Sequence, residues 1–414
     1  MSTQCIVTVP NGSDFTLNNL PYGVFSKRNE STKHIGVAIG EHVLDLFVIA
    51  SIFPDEKVNK AFSQETLNNF MSLGHLKWKE AREVIRKVLT NQIKIEDEKK
   101  SKMLVKQSDV KMHLPAKIGD YTDFYSSIDH ATNVGTMFRG KDNALMPNWK
   151  WIPVGYHGRA SSVIISGTEI HRPKGQVLPP NTETPIFIQS KRLDIELEVA
   201  FFVGPGNKLG EPITMENADK HIFGVVLMND WSARDIQKWE YVPLGPFLSK
   251  SFATTISPWI VTMEALLPYA EENPPHDLGY IDYLKEDPSI PYTFNVNLEV
   301  ELKTKNGNKS VIVESNMKYL YWTIKHQLVH HTINGCNLNP GDLLGSGTIS
   351  GPIEKSFGSL LELTWNGTKP LEIGEEKRTF VEDYDEITIK GFTNKNGLPK
   401  IGFGECSGRI LPSH

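Results

Sequence analysis

The chain of 414 residues contains only three cysteines, Cys5, Cys336 and Cys406, and they lie far apart in the sequence. Their number is odd, and no two of them have the Cys-x-x-Cys spacing that holds zinc. A disulfide framework and a zinc ribbon are therefore both excluded. So few thiols are typical of a reducing compartment, and we expect a cytosolic protein.

The sequence also lacks an excess of positive charge and a long apolar run. Lys and Arg total 44 against 49 Asp and Glu, a formal net charge of -5, whereas nucleic-acid-binding domains are strongly basic. The longest apolar run, Ile222 to Met228, is much shorter than the ~20 residues of a membrane-spanning helix. No basic segment followed by an apolar one opens the chain, so no signal peptide is expected. The composition favours a small-molecule enzyme or a structural protein, with no nucleic-acid or membrane partner.

What the sequence does contain is an ordinary globular composition, 39% hydrophobic and 22% charged, with many turn formers. Its 32 glycines and 25 prolines favour many turns and therefore many strands. Short alternating segments recur between these turns, and long helical patterns are few. We therefore predict a mainly β fold of the α+β type, divided into residues 1–115 and residues 116–414.

Three patterns in the first part of the chain give local predictions. Residues 76–90 carry an apolar stripe at helical spacing with Lys and Arg opposite, which predicts an amphipathic helix. Ser63 is of a type that caps helices and precedes Leu67 and Phe70 at helical spacing, so we expect a helix that begins at Ser63. Residues 92–106 are dense in Lys and Glu and are interpreted as a solvated connector.

Residues 194–199 (DIELEV) alternate between charged and apolar side chains, which predicts a strand. Asp194, Glu196 and Glu198 would then share one face, with successive Cα atoms about 6.5–7 Å apart. Residues 200–203 continue the strand as apolar, which indicates burial, and buried carboxylates need a cation. Because oxygen ligands select a hard ion, the pattern predicts a Ca²⁺ or Mg²⁺ site. An exposed strand face screened by water is the alternative.

A second polar cluster follows the apolar segment at residues 222–228. Asp230 lies just beyond this predicted strand, where functional groups are often presented. Ser232 and Asp235 resemble a capping box that opens a short helix. The cluster is therefore a candidate site held between a strand and a helix.

The predicted helix carries a cation, an amide and a phenol on one face, at Arg234, Gln237 and Tyr241. Such a stripe suits an anionic or polyoxygenated ligand. Surface polarity without a ligand is the alternative interpretation.

Three other segments have weaker signals. His130 lies near two aspartates in the sequence, but a lone histidine is more often structural. The glycine-rich residues 345–351 lack the closing Gly-Lys-Ser/Thr of a phosphate-binding loop. Residues 404–408 (GECSG) have the spacing of a nucleophile elbow, but too few residues follow to supply an acid and a base. The sequence thus offers no covalent nucleophile.

Several segments taken together resemble the fumarylacetoacetate hydrolase family. They are residues 120–125 (DYTDFY), 130–135 (HATNVG), 153–162 (PVGYHGRASS), 193–198 (LDIELE), 229–237 (NDWSARDIQ) and 347–351 (GTISG). They occur in this order across both predicted domains. The resemblance implies a small N-terminal SH3-like barrel, a large C-terminal β-roll and a homodimer formed through the C-terminal domain.

The resemblance also implies the residues of a site. Four carboxylates would hold Ca²⁺: Asp123, Glu196, Glu198 and Asp230. A second cation, Mg²⁺ or a monovalent ion, would lie near Lys250 and Thr254. His130 would be the general base and Glu362 the carboxylate that orients it, although residues 361–365 also have the alternation of a plain strand. Substrate contacts would come from Tyr125, Arg139, Gln237, Tyr241 and Thr348, with Tyr156 nearby.

The implied activity is metal-dependent hydrolysis of a carbon–carbon bond in the β-diketone 4-fumarylacetoacetate. The products are fumarate and acetoacetate, in the last step of phenylalanine and tyrosine breakdown. A histidine oriented by a carboxylate can deprotonate water near pH 7, and a divalent ion polarises the carbonyl oxygens. Arg234, Gln237 and Lys250 can stabilise the oxyanion and the enolate. The alternatives are an acylpyruvate-type hydrolase of the same superfamily and a catalytically silent ligand-binding or scaffold member.

Overall fold

A five-stranded antiparallel sheet and four helices form the N-terminal part of the chain in the computed structural model, which describes residues 5–393, 395 and 397–414. The strands are β1 (Tyr22–Lys27), β2 (His34–Ile39), β3 (His42–Asp45), β4 (Leu104–Lys106) and β5 (Val110–His113), in the order β4–β3–β2–β1–β5. The helices are α1 (Glu56–Phe62), α2 (Asn68–Met71), α3 (His75–Leu89) and α4 (Asp97–Lys100). This small half-barrel agrees with the expected SH3-like unit.

The helices confirm one of the local predictions and correct another. Helix α3 matches the amphipathic helix predicted for residues 76–90. The predicted cap at Ser63 is wrong, because Ser63 follows the end of α1, whereas the helix expected to carry Phe70 and Met71 is present as α2 and begins after Leu67. Helix α1 begins earlier because the Asp55 side chain accepts the N–H groups of Lys57 and Val58.

The segment interpreted as a solvated connector, residues 92–106, is partly ordered structure. Asp97–Lys100 form α4, and Leu104–Lys106 form an edge strand that pairs with β3. Composition alone missed this strand, because its pairing partner lies some sixty residues earlier in the chain. Tertiary pairing here outweighs local propensity.

An eight-stranded mixed sheet is the centre of the remaining chain. Its strands are β6 (Tyr121–Phe124), β7 (Gly155–His157), β8 (Val163–Ile165), β13 (Leu197–Val203), β14 (Ile222–Asp230), β16 (Thr254–Ile256), β17 (Val261–Thr262) and β22 (Leu343–Gly345). The order is β7–β6–β22–β13–β14–β16–β8, with β17 beside β14. A five-stranded sheet in the order β21–β20–β25–β26–β9 contains β9 (Thr168–His171), β20 (Val296–Lys303), β21 (Lys309–Asn316), β25 (Glu386–Thr393) and β26 (Ile401–Leu411).

Short strand pairs and five helices complete the described chain. The short strands are β10 (Lys174–Val177), β11 (Ile186–Gln189), β12 (Leu193–Asp194), β15 (Ser232–Ala233), β18 (Ala270–Glu271), β19 (Thr293–Phe294), β23 (Leu371–Ile373) and β24 (Glu376–Arg378). The helices are α5 (Ile128–Arg139), α6 (Arg234–Glu240), α7 (Met263–Leu266), α8 (Ile324–Thr332) and α9 (Leu360–Leu363). The architecture is mainly β, as predicted. Among the described residues, no helix combines the length and apolar character needed to cross a membrane.

Strand β13 is buried on both of its faces. Val199 and Phe201 belong to the core between the C-terminal sheets, whereas Ala200 and Phe202 belong to the core shared with the N-terminal unit. Successive side chains of a strand point to opposite faces, so this strand separates the two cores. The shared core means that the N-terminal unit covers one face of the eight-stranded sheet. The predicted boundary between residues 115 and 116 falls between β5 and β6, and it stays a prediction.

Candidate active site and metal centre

Four buried carboxylates converge at one end of the central sheet: Asp123, Glu196, Glu198 and Asp230. Each offers an oxygen, and these oxygens all lie within 4.8 Å of one another. Asp123 belongs to β6, Glu198 to β13 and Asp230 ends β14, and β22 joins β6 to β13. Adjacent strands of one sheet therefore bring together residues that are more than one hundred positions apart.

Gly345 on β22 keeps space open among these carboxylates. A Cβ atom at this position would come within 2.5 Å of Met228 Cε and 2.9 Å of Asp123 Oδ1. Any larger residue would push side chains of the cluster apart. The glycine is thus required by the close approach of β22 to the acidic cluster.

The electrostatics of the cluster favour the binding of a cation. Burial, followed by repulsion from Asp230, raises the pKa of Asp123 well above its ordinary value, and burial with repulsion from Asp123 does the same for Glu198. Asp123 Oδ1 and Glu198 Oε1 are buried without a hydrogen-bond partner among the described residues. A group of carboxylate oxygens with unused acceptor capacity fits a hard divalent ion such as Ca²⁺ or Mg²⁺.

Two basic side chains neutralise the outer part of the cluster. Lys250 Nζ contacts Glu196 and lies 2.5 Å from Asp230 Oδ2, and Arg234 Nη2 lies 2.8 Å from Glu196 Oε1. Burial alone would raise the pKa of Glu196, but Lys250, Arg234 and His130 lower it to about 2. Glu196 therefore carries a negative charge throughout the physiological range. Thr254 donates its hydroxyl to Asp230 Oδ1 at 3.0 Å, and the second cation near it stays a prediction.

Asp194 is not one of the four carboxylates of the acidic cluster. The prediction of a continuous strand over residues 194–199 is also wrong. Strand β12 ends at Asp194 and β13 begins at Leu197, so residues 195 and 196 belong to neither strand. Asp194 Oδ2 instead accepts Arg234 Nε at 2.8 Å, and its two oxygens accept the backbone N–H groups of Leu360 and Leu361. It therefore links Arg234 to the start of α9.

His130 and Glu362 form a buried pair beside the acidic cluster. Helix α5 presents His130 one turn after Ser127, whose hydroxyl accepts the His130 N–H. His130 Nδ1 lies 2.7 Å from Glu362 Oε2. Because a carboxylate only accepts hydrogen bonds, the pair places the histidine proton on Nδ1 and leaves Nε2 basic.

Glu362 lies on helix α9, so the alternating strand suggested for residues 361–365 is wrong. Its oxygens also accept hydrogen bonds from Asn133 Nδ2 at 3.0 Å, Ser350 Oγ at 2.9 Å and Ser359 Oγ at 2.7 Å. Burial would raise the pKa of Glu362, but His130, Asn133 and Ser359 lower it below its ordinary value. The glutamate is therefore a charged, fully hydrogen-bonded partner of His130.

Helix α6 brings two of the predicted residues together. Arg234 Nη1 donates to Gln237 Oε1 at 3.1 Å, and Tyr241 follows the end of the helix with 49% of its surface exposed. The predicted capping box is wrong, because Ser232 donates to the Asp230 carbonyl and Asp235 accepts the Ser190 hydroxyl. Helix α6 thus begins at Arg234 without a side-chain cap.

The remaining candidate residues surround this centre at different depths. The Tyr156 hydroxyl lies 3.3 Å from Asp230 Oδ2, and the Tyr125 ring stands edge-on to His130 with centroids 5.2 Å apart. Thr348 Oγ1 is buried without a hydrogen-bond partner in the described part of the chain. Arg139 is exposed at the end of α5, where it donates to the carbonyls of residues 143 and 144.

Sequence reasoning missed the side chains that support Glu362. Ser359 caps α9 and stands three residues before Glu362, which is the spacing of a capping box. That signal was present in the sequence but was hidden by the apparent strand alternation. Asn133 stands three residues after His130 on α5, so helical spacing could also have placed it beside the pair.

Two family profiles cover nearly the whole chain. The profile described as Fumarylacetoacetase N-terminal matches residues 18–115, and the profile described as Fumarylacetoacetate (FAA) hydrolase C-terminal matches residues 121–411. Full-length relatives include the fumarylacetoacetase of Caenorhabditis elegans, 56% identical over 418 residues and covering 99% of both chains. The fumarylacetoacetase of Homo sapiens is 55% identical over 415 residues and covers 98% of both chains.

Solved structures show the same fold at low sequence identity. A fumarylacetoacetate hydrolase from Exiguobacterium antarcticum is 16% identical, with a TM-score of 0.53 over 95% of this chain and 99% of that chain. A maleylpyruvate hydrolase from Sphingobium sp. SYK-6 is 13% identical, with a TM-score of 0.51 over 95% of this chain and 100% of that chain. These two likenesses concern the fold alone.

Proposed function

Because the chain belongs to the fumarylacetoacetate hydrolase family, we propose that it hydrolyses 4-fumarylacetoacetate to fumarate and acetoacetate, the last step of phenylalanine and tyrosine breakdown. The observation that carries this proposal is the His130–Glu362 pair, buried beside four converging carboxylates. Water adds to one carbonyl carbon, the adjacent carbon–carbon bond breaks, and the leaving fragment is an enolate that takes up a proton. The reaction thus needs a base for water and positive charge for two developing anions.

His130 supplies the base in this proposal. Its Nε2 takes a proton from the attacking water, while Glu362 on Nδ1 stabilises the imidazolium that results. The proton held on Nε2 is then available to the enolate carbon. Since Glu362 is anionic and held by four side-chain donors, the histidine keeps one orientation through this cycle.

Asp123, Glu196, Glu198 and Asp230 would hold a divalent cation, for which we propose Ca²⁺ or Mg²⁺. Bound there, the ion would polarise the diketone oxygens and offset the developing negative charge. The residues Arg234, Gln237 and Lys250 lie beside this cluster and would add fixed positive charge and hydrogen bonds at the oxyanion and the enolate. Removing one such donor costs about 3 kcal/mol of transition-state stabilisation.

The substrate would be gripped by groups around the rim and the floor of the site. Tyr125 lies close to the base, Tyr156 lies close to the acidic cluster, and Thr348 is proposed as a further substrate contact. Arg139 and Tyr241 are more exposed and suit the terminal carboxylate of the substrate, since a guanidinium and a phenol both donate to carboxylates. Gln237, which accepts a hydrogen bond from Arg234, would contact the substrate as well.

A homodimer formed through the C-terminal part of the chain is also proposed. The loop after α6 and the ribbon of β10 and β11 carry an apolar patch, which we define as Phe187, Val242, Leu244, Phe247 and Leu248; each is at least half exposed. Trp239 Nε1 donates to Gln176 Oε1, and Gln176 pairs with Phe187, so the end of α6, from which the loop departs, is bonded to the ribbon. Such a patch is typical of a protein interface, and a second copy is the proposed occupant. The three free cysteines agree with a cytosolic location.

The deciding experiment follows the consumption of 4-fumarylacetoacetate by purified protein with and without added Ca²⁺ or Mg²⁺. We expect turnover that a chelator abolishes and either ion restores. An acylpyruvate, assayed in parallel, tests the alternative hydrolase activity. Absence of fumarylacetoacetate cleavage in the metal-loaded protein would contradict the proposed function.

A further inference from the structure

A single carboxylate closes the loop that follows α6. Glu240 Oε1 accepts the backbone N–H groups of Phe247 at 2.7 Å and Ser249 at 2.8 Å, together with the Ser249 hydroxyl at 2.6 Å. Glu240 Oε2 accepts the N–H of Leu248 at 3.0 Å. Hydrogen bonds to a charged acceptor are stronger than those between neutral groups. The last residue of α6 therefore ties down the far end of its own loop.

The side chains of the loop supply little packing within the described chain. Leu244 is 97% exposed, Phe247 71% and Val242 66%. A loop without buried apolar contacts has low local stability and depends on its hydrogen bonds. Within a single copy of the chain, the contacts of Glu240 therefore help to fix where residues 247–249 return to the protein.

The segment that Glu240 holds leads directly to Lys250. Ser249 is fully buried, and its carbonyl accepts the N–H of Ala233 at 2.9 Å. The residue before Lys250 is therefore bound on both sides, by Glu240 and by the strand that precedes α6. From this anchor the Lys250 side chain reaches Glu196 and Asp230 in the acidic cluster.

We propose that Glu240 is a positioning residue that sets the place of the Lys250 ammonium group in the active site. Glu240 does not touch the acidic cluster or the His130 pair, and it acts through Ser249. The inference rests on the proposed function, in which Lys250 stabilises developing negative charge. A displacement of about 1 Å at a reacting centre costs ~100-fold in rate, so loosening the loop lowers turnover even though Lys250 itself is intact.

The first test is a double-mutant cycle with Glu240→Ala and Lys250→Met. We expect Glu240→Ala alone to lower kcat by about 10- to 100-fold with a smaller change in KM. Glu240→Gln keeps an acceptor oxygen and is expected to lose less. In the Lys250→Met background, Glu240→Ala has no further effect, because the group that it positions is gone. An equal fold-loss of kcat in both backgrounds would overturn the proposal.

The second test is independent of turnover and measures the labelling of Lys250 by an acylating reagent, read by mass spectrometry. Lys250 is 8% exposed and should label slowly in the wild-type protein. We expect Glu240→Ala to speed its labelling severalfold. The control Asp287→Asn removes a carboxylate that closes an unrelated loop at Ser289 and should leave Lys250 labelling unchanged.

The two outcomes separate the inference from the proposed function. Unchanged Lys250 labelling in Glu240→Ala would overturn the positioning role, even in a protein that cleaves fumarylacetoacetate. Faster labelling in a protein that does not cleave fumarylacetoacetate would support the positioning role and overturn only the assigned reaction.

Discussion

At the scale of single residues, the tautomer of His130 is determined by its hydrogen bond to Glu362. Glu362 accepts hydrogen bonds from His130, Asn133, Ser350 and Ser359, and these donors keep a buried acid charged. A charged acceptor on Nδ1 gives the imidazole a single useful tautomer. The chemistry of the base therefore depends on Glu362 and on the three further side chains that hold it, Asn133, Ser350 and Ser359.

Replacing His130 by alanine should remove the base and leave the fold intact. General base catalysis contributes about 10²- to 10⁴-fold, so we expect kcat to fall by several orders of magnitude in His130→Ala. The matched control is His171→Ala, which changes an exposed histidine on β9. Circular dichroism checks the fold, and near-normal turnover of His130→Ala would contradict the assignment.

Replacing Glu198 by glutamine should raise the melting temperature in the absence of metal and reduce the stabilisation that added metal gives. In chelator, burial and the neighbouring carboxylates disfavour the ionised form of Glu198, and Glu198→Gln replaces it with a neutral side chain of nearly the same shape. We expect a higher melting temperature than wild type in chelator and a smaller gain on adding Ca²⁺. For the wild type, binding at one hundred times Kd would add about 2.7 kcal/mol.

Thermal unfolding of both proteins, with and without Ca²⁺, measures the melting temperature in chelator and its increase on adding the ion. Glu169→Gln, which changes an exposed glutamate of β9, is the control and should behave as wild type. If Ca²⁺ stabilised Glu198→Gln as much as it does the wild type, the cluster would not be the metal site.

The sequence predicted which residues belong to this site better than which of them contact one another. The alternation at residues 194–199 correctly drew attention to Glu196 and Glu198, yet it grouped Asp194 with them. The strand is interrupted at residues 195 and 196, and Asp194 accepts a hydrogen bond from Arg234 instead. Such a break depends on contacts with α9, more than one hundred and sixty positions away, which local spacing does not contain.

At the scale of elements, helix α3 attaches the N-terminal unit to the central sheet. Trp78 is 2% exposed, and its ring lies 5.1 Å from that of Phe223 on β14. Its Nε1 donates to the carbonyl of Phe70 on α2. One side chain thus joins two helices of the N-terminal unit to a strand of the central sheet.

Replacing Trp78 by alanine should therefore be strongly destabilising. Truncating a buried tryptophan costs about 3–5 kcal/mol of unfolding free energy, from lost burial and the cavity that remains. Leu76→Ala on the same helix is the control, because Leu76 is 65% exposed and should change stability by less than about 0.5 kcal/mol. Urea unfolding of both variants measures the difference, and equal stabilities would contradict the packing role.

Helix α8 carries a buried histidine that makes the fold sensitive to acid. Burial, with nearby His276 and Lys325, lowers the pKa of His326 to about 3. The unfolded chain, with a histidine pKa of about 6.5, binds the proton first as the pH falls. The unfolding free energy that this group contributes is therefore complete above pH ~6.5 and is lost as the pH falls towards 3.

The variant His326→Gln should accordingly show a weaker loss of stability between pH 6.5 and pH 4 than the wild type. Urea unfolding at a series of pH values measures this slope. His171→Gln, an exposed histidine, should keep the wild-type slope. An unchanged slope in His326→Gln would contradict the assigned pKa direction.

Periodicity predicted the type of long elements and failed for short ones. Helix α3 has fifteen residues and a clear stripe, so its bounds followed from sequence. Helix α9 has four residues, too few for a helical period to be distinguished from strand alternation. The cap at Ser359 and the contacts of Asp194 decide its conformation.

At the scale of the whole molecule, a substitution in the exposed apolar patch tests the proposed dimer. Leu244→Glu places a charge at its most exposed side chain, 97% accessible, and should shift the protein towards the monomer. Leu209→Glu is the control, since Leu209 is 79% exposed in the loop between β13 and β14. Analytical ultracentrifugation measures both, and a wild-type monomer would contradict the proposal.

Composition and turn density predicted the mainly β class but not the shared core. The predicted division at residues 115 and 116 follows the change in sequence texture, whereas Tyr22, Phe70 and Trp78 pack with Phe223 of the larger part. Burial between distant segments leaves no periodic trace in either one. Only the folded arrangement of β13 and β14 explains why both strands are buried along their whole length.

Because β13 is buried on both faces, the docking of the N-terminal unit and the geometry of the acidic cluster depend on the same alternation of side chains along the strand. Glu198 stands on the same face as Ala200 and Phe202, the face that the N-terminal unit covers. Inserting or deleting a single residue at the start of this strand would turn every later side chain to the opposite face. The docking of the N-terminal unit and the acidic cluster would then fail together. An insertion or deletion in this strand would therefore disrupt both features. A single substitution, in contrast, changes only the face on which its side chain lies.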